Sequence, residues 1–309
     1  MKDTITLACP RCHAALEQVA FDAMRCSLDG LTFHQVDGIW RFLLPERTAA
    51  YEQFIREYET VRRAEGRGAD DAAYYRALPY QDLSTRMPTD WAIRTKSFDT
   101  FLAQVLAPLE RHNRSLRILD LGAGNGWLSN HLAQRGHALA AVDLTTNDFD
   151  GLGCYRYYDS VFTLLQAEFD RLPFPDGATD LVIFNASLHY SVNIQGTLKE
   201  ALRVLGDTGI VVILDSPVYE NGKSGAQMVK ERQAMFLRQF GFRSDALPSE
   251  NYLTYKYLEE LAAMLKLHWQ YITPFYGLRW TLKPLKAKLL GQREPAKFHV
   301  IVGKRMSQV

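Results

Sequence analysis

The chain has 309 residues, which is enough for one full α/β domain and a smaller attachment. Its 36 lysine and arginine residues nearly balance its 35 acidic residues, so the net charge gives no global attraction to nucleic acid or to anionic membranes. No apolar run approaches the roughly 18 residues that a membrane helix needs, and the first residues lack the apolar stretch of a signal peptide. We therefore expect a cytoplasmic protein without membrane insertion, and the sequence leaves its oligomeric state open.

Residues 1–45 contain three of the four cysteines and read as short strands separated by turns. The run Cys9-Pro-Arg-Cys12, followed by Cys26, resembles a zinc ribbon, in which four ligands hold one metal ion. The second half of the pattern departs from a ribbon, because Asp29 stands where a fourth cysteine is usual. The resemblance implies a structural zinc ion with Cys9, Cys12, Cys26 and Asp29 as its ligands.

The fourth ligand of this zinc site is left open by the sequence. His13 and His34 are alternative donors, and His34 lies eight residues beyond Cys26. A second interpretation is a ribbon that keeps its fold by packing alone, with all of its thiols reduced.

Residues 46–112 have a polar, helical pattern, and we interpret them as a lid or linker. A cluster of aromatic residues follows a charged stretch at residues 61–71; its members are Tyr74, Tyr75, Tyr80 and Trp91. The cluster could cover a flat or apolar acceptor, or it could fill ordinary helix packing. Because aromatic residues mostly fill cores, we favour helix packing.

Residues 118–131, ILDLGAGNGWLSNH, predict a strand, a tight turn and the start of a helix. The strand ends at Asp120, and glycines follow at positions 122, 124 and 126. Glycine permits a sharp turn and a close approach to a ligand, and the helix start offers free N–H groups. The spacing is not the G-x-G-x-x-G of dinucleotide sites, because Trp127 occupies the place of the last glycine.

Three further elements follow this turn. Residues 138–144, ALAAVDL, predict a strand ending in Asp143, where a carboxylate can accept hydrogen bonds from ribose hydroxyls. Residues 164–180 contain LPFPDGATD, and residues 181–190, LVIFNASLHY, predict a buried strand that ends at Asn185.

These elements together resemble class I S-adenosylmethionine (SAM) methyltransferases over about residues 113–216. The resemblance implies a three-layer, Rossmann-like α/β domain at residues 113–309, with a seven-stranded sheet whose last strand is antiparallel. It implies SAM as the cofactor, with Glu168 and Phe169 beside the adenine, although aspartate is common in the family where Glu168 stands. The cofactor-binding residues it implies are Asp120, Gly122, Ala123, Gly124, Gly126, Asp143, Leu144, Glu168, Phe169, Asn185 and Ala186.

The remainder of the chain alternates strand and helix patterns, which is typical of a parallel sheet. Strands are predicted near residues 116–120, 138–143, 162–166, 180–185, 209–215, 268–273 and 297–304. One helix should run from residue 195 to 205 and stop at Gly206. The long connection at 217–266, with helical patterns at 225–240 and 255–267, leaves the carboxyl end of a strand, so we interpret it as part of the substrate pocket.

His189 and Tyr190 are the catalytic candidates, because both follow the fourth core strand at the rim of the expected site. His189 could act as a general base near neutral pH, or it could shape the SAM pocket through a hydrogen bond. Asp215 and Tyr219 are further candidates on the same rim. Many methyl transfers need only alignment of the reacting atoms, so a dedicated base is not required.

The leading hypothesis is a methyltransferase that acts on an O, N or C atom of a small-molecule acceptor by in-line displacement. A second hypothesis is methylation of ribosomal RNA, because the N-terminal C-P-x-C-H run resembles that of ribosomal RNA guanine methyltransferases and because the region from Arg279 to Arg305 is basic. The slight excess of acidic residues in the N-terminal segment argues against this. A third hypothesis is a SAM-binding partner protein without catalysis.

Overall fold

The computed structural model describes residues 5–113 and 115–306. Eleven of its strands form one sheet, and two form a separate short pair. The strands are β1 Leu16–Ala20, β2 Ala23–Cys26, β3 Thr32–Val36, β4 Ile39–Arg41, β5 Arg117–Leu121, β6 Ala138–Asp143, β7 Thr163–Gln166, β8 Thr179–Asn185, β9 Leu205–Leu214, β10 Val218–Tyr219, β11 Leu253–Thr254, β12 Leu267–Ile272 and β13 Val300–Arg305. In space, the large sheet has the order β1-β2-β3-β4-β7-β6-β5-β8-β9-β13-β12.

Seven of these strands, from β7 to β12 in spatial order, form the predicted core sheet. Strands β7, β6, β5, β8 and β9 are parallel, and β13 runs antiparallel to both β9 and β12. The central strands are buried along nearly their whole length, as expected when helices cover both faces of a parallel sheet. The predicted α/β class, the seven strands and the antiparallel last strand are confirmed.

Helices cover both faces of the sheet. They are α1 Pro45–Ala64, α2 Ala72–Ala77, α3 Pro88–Phe101, α4 Ala107–His112, α5 Trp127–Gln134, α6 Ile194–Val204, α7 Gly222–Phe240, α8 Tyr255–Leu265, α9 Leu278–Thr281 and α10 Lys283–Leu289. One apolar cluster includes Leu198 of α6 and Leu258 of α8, and a second includes Phe98 of α3 and Leu128 of α5. Among the described residues, no helix combines the length and the apolar character needed to cross a membrane.

The N-terminal segment continues the core sheet. Strands β1 to β4 form an antiparallel run, and β4 then pairs in parallel with β7 through Trp40 and Leu165. Trp40, Phe42 and Leu44 are buried against the core, and the rings of Phe33 and Phe42 lie 4.8 Å apart. This pairing places the start of α1 at the edge of the core sheet.

The aromatic cluster of residues 74–91 packs inside the protein. Tyr74, Tyr75 and Trp91 are buried, and the Tyr75 hydroxyl donates a 2.7 Å hydrogen bond to the Phe149 carbonyl. Tyr80 is exposed and contacts Asp99. The prediction that these residues fill helix packing is therefore confirmed for Tyr74, Tyr75 and Trp91, and the alternative prediction of an aromatic lid over an acceptor is wrong.

Helix ends differ from the expected ones by a few residues. Helix α6 ends at Val204, and β9 begins directly at Leu205, because Leu205 pairs with Thr179 of β8. Helix α7 starts at Gly222, three residues early, since the Asn221 side chain accepts a hydrogen bond from the Lys223 N–H and caps the helix.

Candidate functional site

The glycine turn after β5 is the first wall of the site. Gly122, Gly124 and Gly126 have φ angles of 79°, 55° and 79°, in the left-handed region that favours glycine. The N–H groups of Gly122 and Ala123 both donate to the Val142 carbonyl, so backbone hydrogen bonds attach the turn to β6. A Cβ on Gly122 would lie 2.3 Å from the Ser187 Cβ. Position 122 therefore accepts no side chain.

Asp143, at the carboxyl end of β6, fixes the same turn. Its Oδ2 accepts a 2.8 Å hydrogen bond from the Gly124 N–H, and its Oδ1 accepts from the N–H and the hydroxyl of Thr145, both at 2.7 Å. Burial raises the pKa of Asp143, and these hydrogen bonds act in the opposite direction. A carboxylate has about four lone-pair positions, so these three hydrogen bonds leave one acceptor position of Asp143 unused.

Asp120 lies beneath the turn and is fully buried. The Ser129 hydroxyl donates to its Oδ2 at 2.8 Å, whereas its Oδ1 has no protein partner. Burial raises the pKa of Asp120 to about 7, against the lowering effect of the Ser129 hydrogen bond. A second buried oxygen without a partner is Oδ1 of Asn185, at the end of β8. Such orphaned acceptors suit donors supplied by a bound ligand.

A cavity of about 420 Å³ opens beside the turn, which is a suitable size for a small-molecule cofactor. It is here named the cofactor cavity. The predicted cofactor residues that line it are Gly122, Asp143, Leu144, Glu168, Phe169 and Ala186. The others, Asp120, Ala123, Gly124, Gly126 and Asn185, lie outside its lining.

Helix α1 forms the opposite wall of the cofactor cavity. Arg47, Tyr51, Phe54 and Tyr58 line it. They follow the spacing i, i+4, i+7, i+11, which places them on one face of a helix. Sequence analysis missed these residues, although that spacing is visible within residues 46–64 and could have identified them.

Glu168 forms an ion pair and a hydrogen bond with helix α1. The Arg47 guanidinium donates to both carboxylate oxygens at 2.9 to 3.2 Å, and the Tyr51 hydroxyl donates to Oε2 at 3.1 Å. The Glu168 side chain is buried, whereas Arg47 is about a third exposed. Glu168 thus lines the cavity as predicted, with a carboxylate that already holds the α1 wall in place.

A second, larger cavity of about 1100 Å³ lies next to the cofactor cavity and is here named the acceptor cavity. Tyr58, Ala186 and Tyr190 line both cavities. The rings of Tyr58 and Tyr190 meet edge to face with centroids 6.2 Å apart. The catalytic candidates His189, Tyr190, Asp215 and Tyr219 all line the acceptor cavity.

His189 lies in a buried and electropositive part of the acceptor cavity. Its Nδ1 is 3.2 Å from the Ser216 hydroxyl. Burial, and then the nearby cations of Arg232 and Arg94, lower the pKa of His189 to about 3. An imidazole with this pKa is uncharged at neutral pH and is a weak proton acceptor.

The insertion at residues 217–266 contributes one side of the acceptor cavity. Its Arg232 contacts the Asn251 amide oxygen and faces the cavity with Gln227 and Met228. Residues 280–298, between α9 and β13, supply another side. Asp215, on the floor, accepts a hydrogen bond from the Ser97 hydroxyl, and burial raises its pKa.

The N-terminal cysteines form a cluster of metal-ligand type. The Sγ atoms of Cys9, Cys12 and Cys26 and a carboxylate oxygen of Asp29 all lie within 4.8 Å of one another. Cys9 Sγ is 3.0 Å from Asp29 Oδ2, and the sulfurs of Cys12 and Cys26 are 3.4 Å apart. Ligands around tetrahedral zinc lie about 3 to 4 Å from one another, so this donor set fits the ion.

The alternative fourth ligands do not join this cluster. His34 lies outside it, and the His13 ring lies 3.7 Å from a carboxylate oxygen of Glu200 on α6. Within the described residues, Asp29 is thus the donor that completes the three cysteines. The fourth cysteine, Cys154, is fully buried in the core, and burial raises the pKa of its thiol.

Comparisons with known proteins identify a methyltransferase region in this chain. Residues 119–213 match the family described as "Methyltransferase domain". A demethylmenaquinone methyltransferase from Tropheryma whipplei is 28% identical over 145 residues, which is 46% of this chain and 57% of that protein. The chain thus spans little more than half the length of this relative.

Two other relatives match shorter stretches of the chain. A malonyl-[acyl-carrier protein] O-methyltransferase from Geobacter sulfurreducens is 36% identical over 100 residues, which is 30% of this chain and 36% of that protein. A sarcosine/dimethylglycine N-methyltransferase from Halorhodospira halochloris is 30% identical over 102 residues, covering 32% and 37% of the two chains. The three names describe transfer to different acceptors.

Proposed function

We propose that this chain, which carries a class I SAM-dependent methyltransferase domain, transfers a methyl group to an O, N or C atom of a small molecule bound in the acceptor cavity. The observation that carries this proposal is the junction of the two cavities at Tyr58, Ala186 and Tyr190. An acceptor in the larger cavity would meet the cofactor only at this junction. Alignment of two bound reactants in this way supplies much of the rate enhancement of a displacement reaction.

The residues around the cofactor cavity fit SAM. Asp143 would accept from the ribose hydroxyls, Leu144 and Phe169 would flank the adenine, and Gly122 would allow the amino-acid end to approach the backbone. Bound SAM would supply a methyl group on a positively charged sulfur.

Tyr58 and Tyr190 are proposed to act at the junction of the two cavities. Their rings would exclude water from the reacting atoms and would present π-electron density to a positive charge. His189 lies behind them with its pKa lowered to about 3, so we assign it to positioning through Ser216 rather than to proton abstraction. The proposal therefore requires no general base from the protein.

The N-terminal segment is proposed to bind zinc through Cys9, Cys12, Cys26 and Asp29. Four ligands from one closed cluster are typical of structural zinc, in which no coordination position is left for a substrate. The ion would brace strands β2 to β4 against β7. Its role would therefore be to hold the start of α1, and with it one wall of the cofactor cavity.

The test measures cofactor binding and turnover separately. Calorimetry with SAM and S-adenosylhomocysteine is expected to give micromolar affinity. A panel of hydroxynaphthoquinones, dicarboxylic acids and secondary amines, read by release of S-adenosylhomocysteine, is expected to include an acceptor. Tyr190→Ala should then lower kcat at least about 10-fold, because it opens the junction to water, whereas Tyr80→Ala, at an exposed tyrosine, should not.

Two results would change the proposal. If neither nucleoside binds, the cofactor assignment fails. If SAM binds and no acceptor in the panel turns over, a SAM-binding partner protein becomes the better description.

A further inference from the structure

A stripe of exposed leucines runs along helices α9 and α10. Leu278, Leu282, Leu285 and Leu289 are between 57% and 77% exposed, and Phe275, just before α9, is 68% exposed. Exposed apolar residues are common singly, but a contiguous row of this kind marks a surface that another molecule covers. These five residues are here named the leucine stripe.

The two short helices act as one helical segment. The N–H groups of Leu282, Lys286 and Leu290 each donate to the carbonyl four residues earlier, so the helical register continues across the break. At about 100° per residue, the four leucines fall within about 60° of one another around the axis. Ala287, about 180° from Leu278, is buried. The leucine stripe therefore points directly away from the body of the protein.

Positive charge flanks the leucine stripe. From residue 274 to residue 293 the chain has no acidic residue. Its basic residues are Arg279, Lys283, Lys286, Lys288 and Arg293. Arg293 pairs with Glu231, and Lys283 lies over the Trp280 ring, whereas Arg279, Lys286 and Lys288 are exposed. An apolar face bordered by lysine and arginine is the pattern of a helix that lies in a membrane interface.

We propose that the leucine stripe binds the surface of a bilayer containing anionic lipid. The leucines would enter the boundary between head groups and acyl chains, and Arg279 and Lys288 would pair with lipid phosphates. This charge complementarity favours a bilayer over an apolar protein partner, which would not require flanking cations. It also favours a bilayer over RNA, because RNA contacts use cations and stacked rings and leave a row of leucines without a partner.

The position of the stripe gives it a consequence for the acceptor. The inner side of the same helices, including Trp280, Lys283, Lys286 and Ala287, lines the acceptor cavity. A bilayer on the outer side would then be separated from the acceptor cavity by one helix, about 10 Å thick. Resting on the proposed function, the inference is that the acceptor is a molecule dissolved in, or anchored to, the membrane.

The experiment is co-sedimentation of the full chain with vesicles, a readout that needs neither SAM nor an acceptor. The probes are vesicles of phosphatidylcholine alone and vesicles in which about a third of the lipid is phosphatidylglycerol. The chain should bind the anionic vesicles at least about 10-fold more strongly than the neutral ones, since several cations act together. Added salt should weaken the binding.

Two pairs of variants test the contributions of the leucines and of the cations to vesicle binding separately. Leu282→Gln/Leu285→Gln/Leu289→Gln should lower partitioning at least about 10-fold, whereas the matched control Phe21→Gln/Val161→Gln/Met264→Gln, at exposed apolar residues elsewhere, should not. Arg279→Gln/Lys288→Gln should reduce the preference for anionic vesicles, whereas Lys256→Gln/Lys304→Gln should leave it unchanged. Circular dichroism and thermal melting of each variant verify folding and keep this test independent of the proposed function.

Three results would overturn the inference. The first is equal or absent binding to both kinds of vesicle. The second is a dimer of the parent chain in sedimentation velocity that becomes a monomer in the leucine triple variant. That result would mean that the leucine stripe binds a second copy of the chain. The third is capture of RNA at low salt that the Arg279→Gln/Lys288→Gln variant abolishes while vesicle binding persists.

Discussion

The two walls of the cofactor cavity are held in place by different forces. The glycine wall belongs to the core sheet, and backbone hydrogen bonds from Gly122 and Ala123 to Val142 fix it. The α1 wall is a separate helix that is attached at both ends by an arginine on a buried carboxylate, Arg47 on Glu168 and Arg62 on Asp150.

This difference bears on how the site forms. A backbone turn within a parallel sheet is in place as soon as the sheet has folded. A helix held by ion pairs depends on charge, and with the proposed zinc bound to the N-terminal cluster it would also depend on metal content. We therefore expect perturbations of the α1 wall to change the cavity while the sheet stays intact.

Loss of the metal should produce the largest effect. Cys26→Ser, or removal of zinc by a chelator, should lower the free energy of unfolding of the N-terminal segment by at least about 3 kcal/mol, because the binding energy of a structural zinc is folding energy. The measurements are zinc content, thermal melting and SAM affinity. The matched control is Cys154→Ser, at a buried cysteine far from the cluster, which should keep the zinc.

The same experiment also distinguishes the stability of the α1 wall from that of the glycine wall. The core should keep a cooperative transition while SAM affinity falls, because only the α1 wall loosens. A purified chain without zinc, whose melting is unaffected by chelator, would contradict the metal assignment.

A side chain at Gly122 should have the next largest effect, this time on the glycine wall. Gly122→Ala should weaken SAM binding about 100-fold, or about 2.7 kcal/mol, since its Cβ would overlap Ser187 and displace the turn. Gly136→Ala is the matched control, because Gly136 also has a left-handed φ but open space around its Cβ. Equal losses of SAM affinity in the two variants would show that the loss comes from backbone strain and not from overlap with Ser187.

Removal of the ion pair at the start of α1 should have a smaller effect on stability and on SAM affinity. Arg47→Met should destabilise the protein by about 1–2 kcal/mol, because it leaves the buried Glu168 with only the Tyr51 hydroxyl. It should also weaken SAM binding several-fold, whereas Arg56→Met, which breaks an exposed pair with Glu52 on the same helix, should change stability by about 0.5 kcal/mol or less.

A double-mutant cycle with Glu168→Gln tests whether this pair acts as a unit. If it does, the double variant should be less destabilised than the sum of the single variants. Additive effects would mean that Arg47 and Glu168 contribute separately.

The two walls also differ in how well sequence could predict them. The glycine wall has a local signature, because its strand, turn and acidic strand end lie within about twenty-five residues of each other. The contact of Arg47 with Glu168 joins positions 121 apart along the chain and has no local signature. The pairing of β4 with β7 is equally distant, so the continuous eleven-stranded sheet could not be predicted from either strand alone.

Burial decides two features that residue type alone leaves open. Tyr74, Tyr75 and Trp91 suited a lid or a core by residue type, and only the packing of α2 and α3 decided for the core. The leucine stripe shows the converse, because its apolar spacing is typical of a buried helix face although that face lies in solvent.

Substitution of His189 should have the smallest effect on rate, and it tests the junction of the two cavities. With a pKa of about 3, well below the usual 6.5, the imidazole stays uncharged from pH 5 upward, so its titration should add no limb to the pH–rate profile between pH 5 and 8. His189→Asn, which keeps a hydrogen-bonding group beside Ser216, should change kcat by only about 2-fold, since general-base catalysis would contribute about 100-fold or more. A rate that falls below about pH 6.5 in the parent chain and loses this dependence in the variant would instead establish His189 as the base. That result would also indicate that the bound acceptor supplies a negative charge near His189, because such a charge would offset the burial of the imidazole and the cations of Arg232 and Arg94 and would raise the pKa toward neutrality.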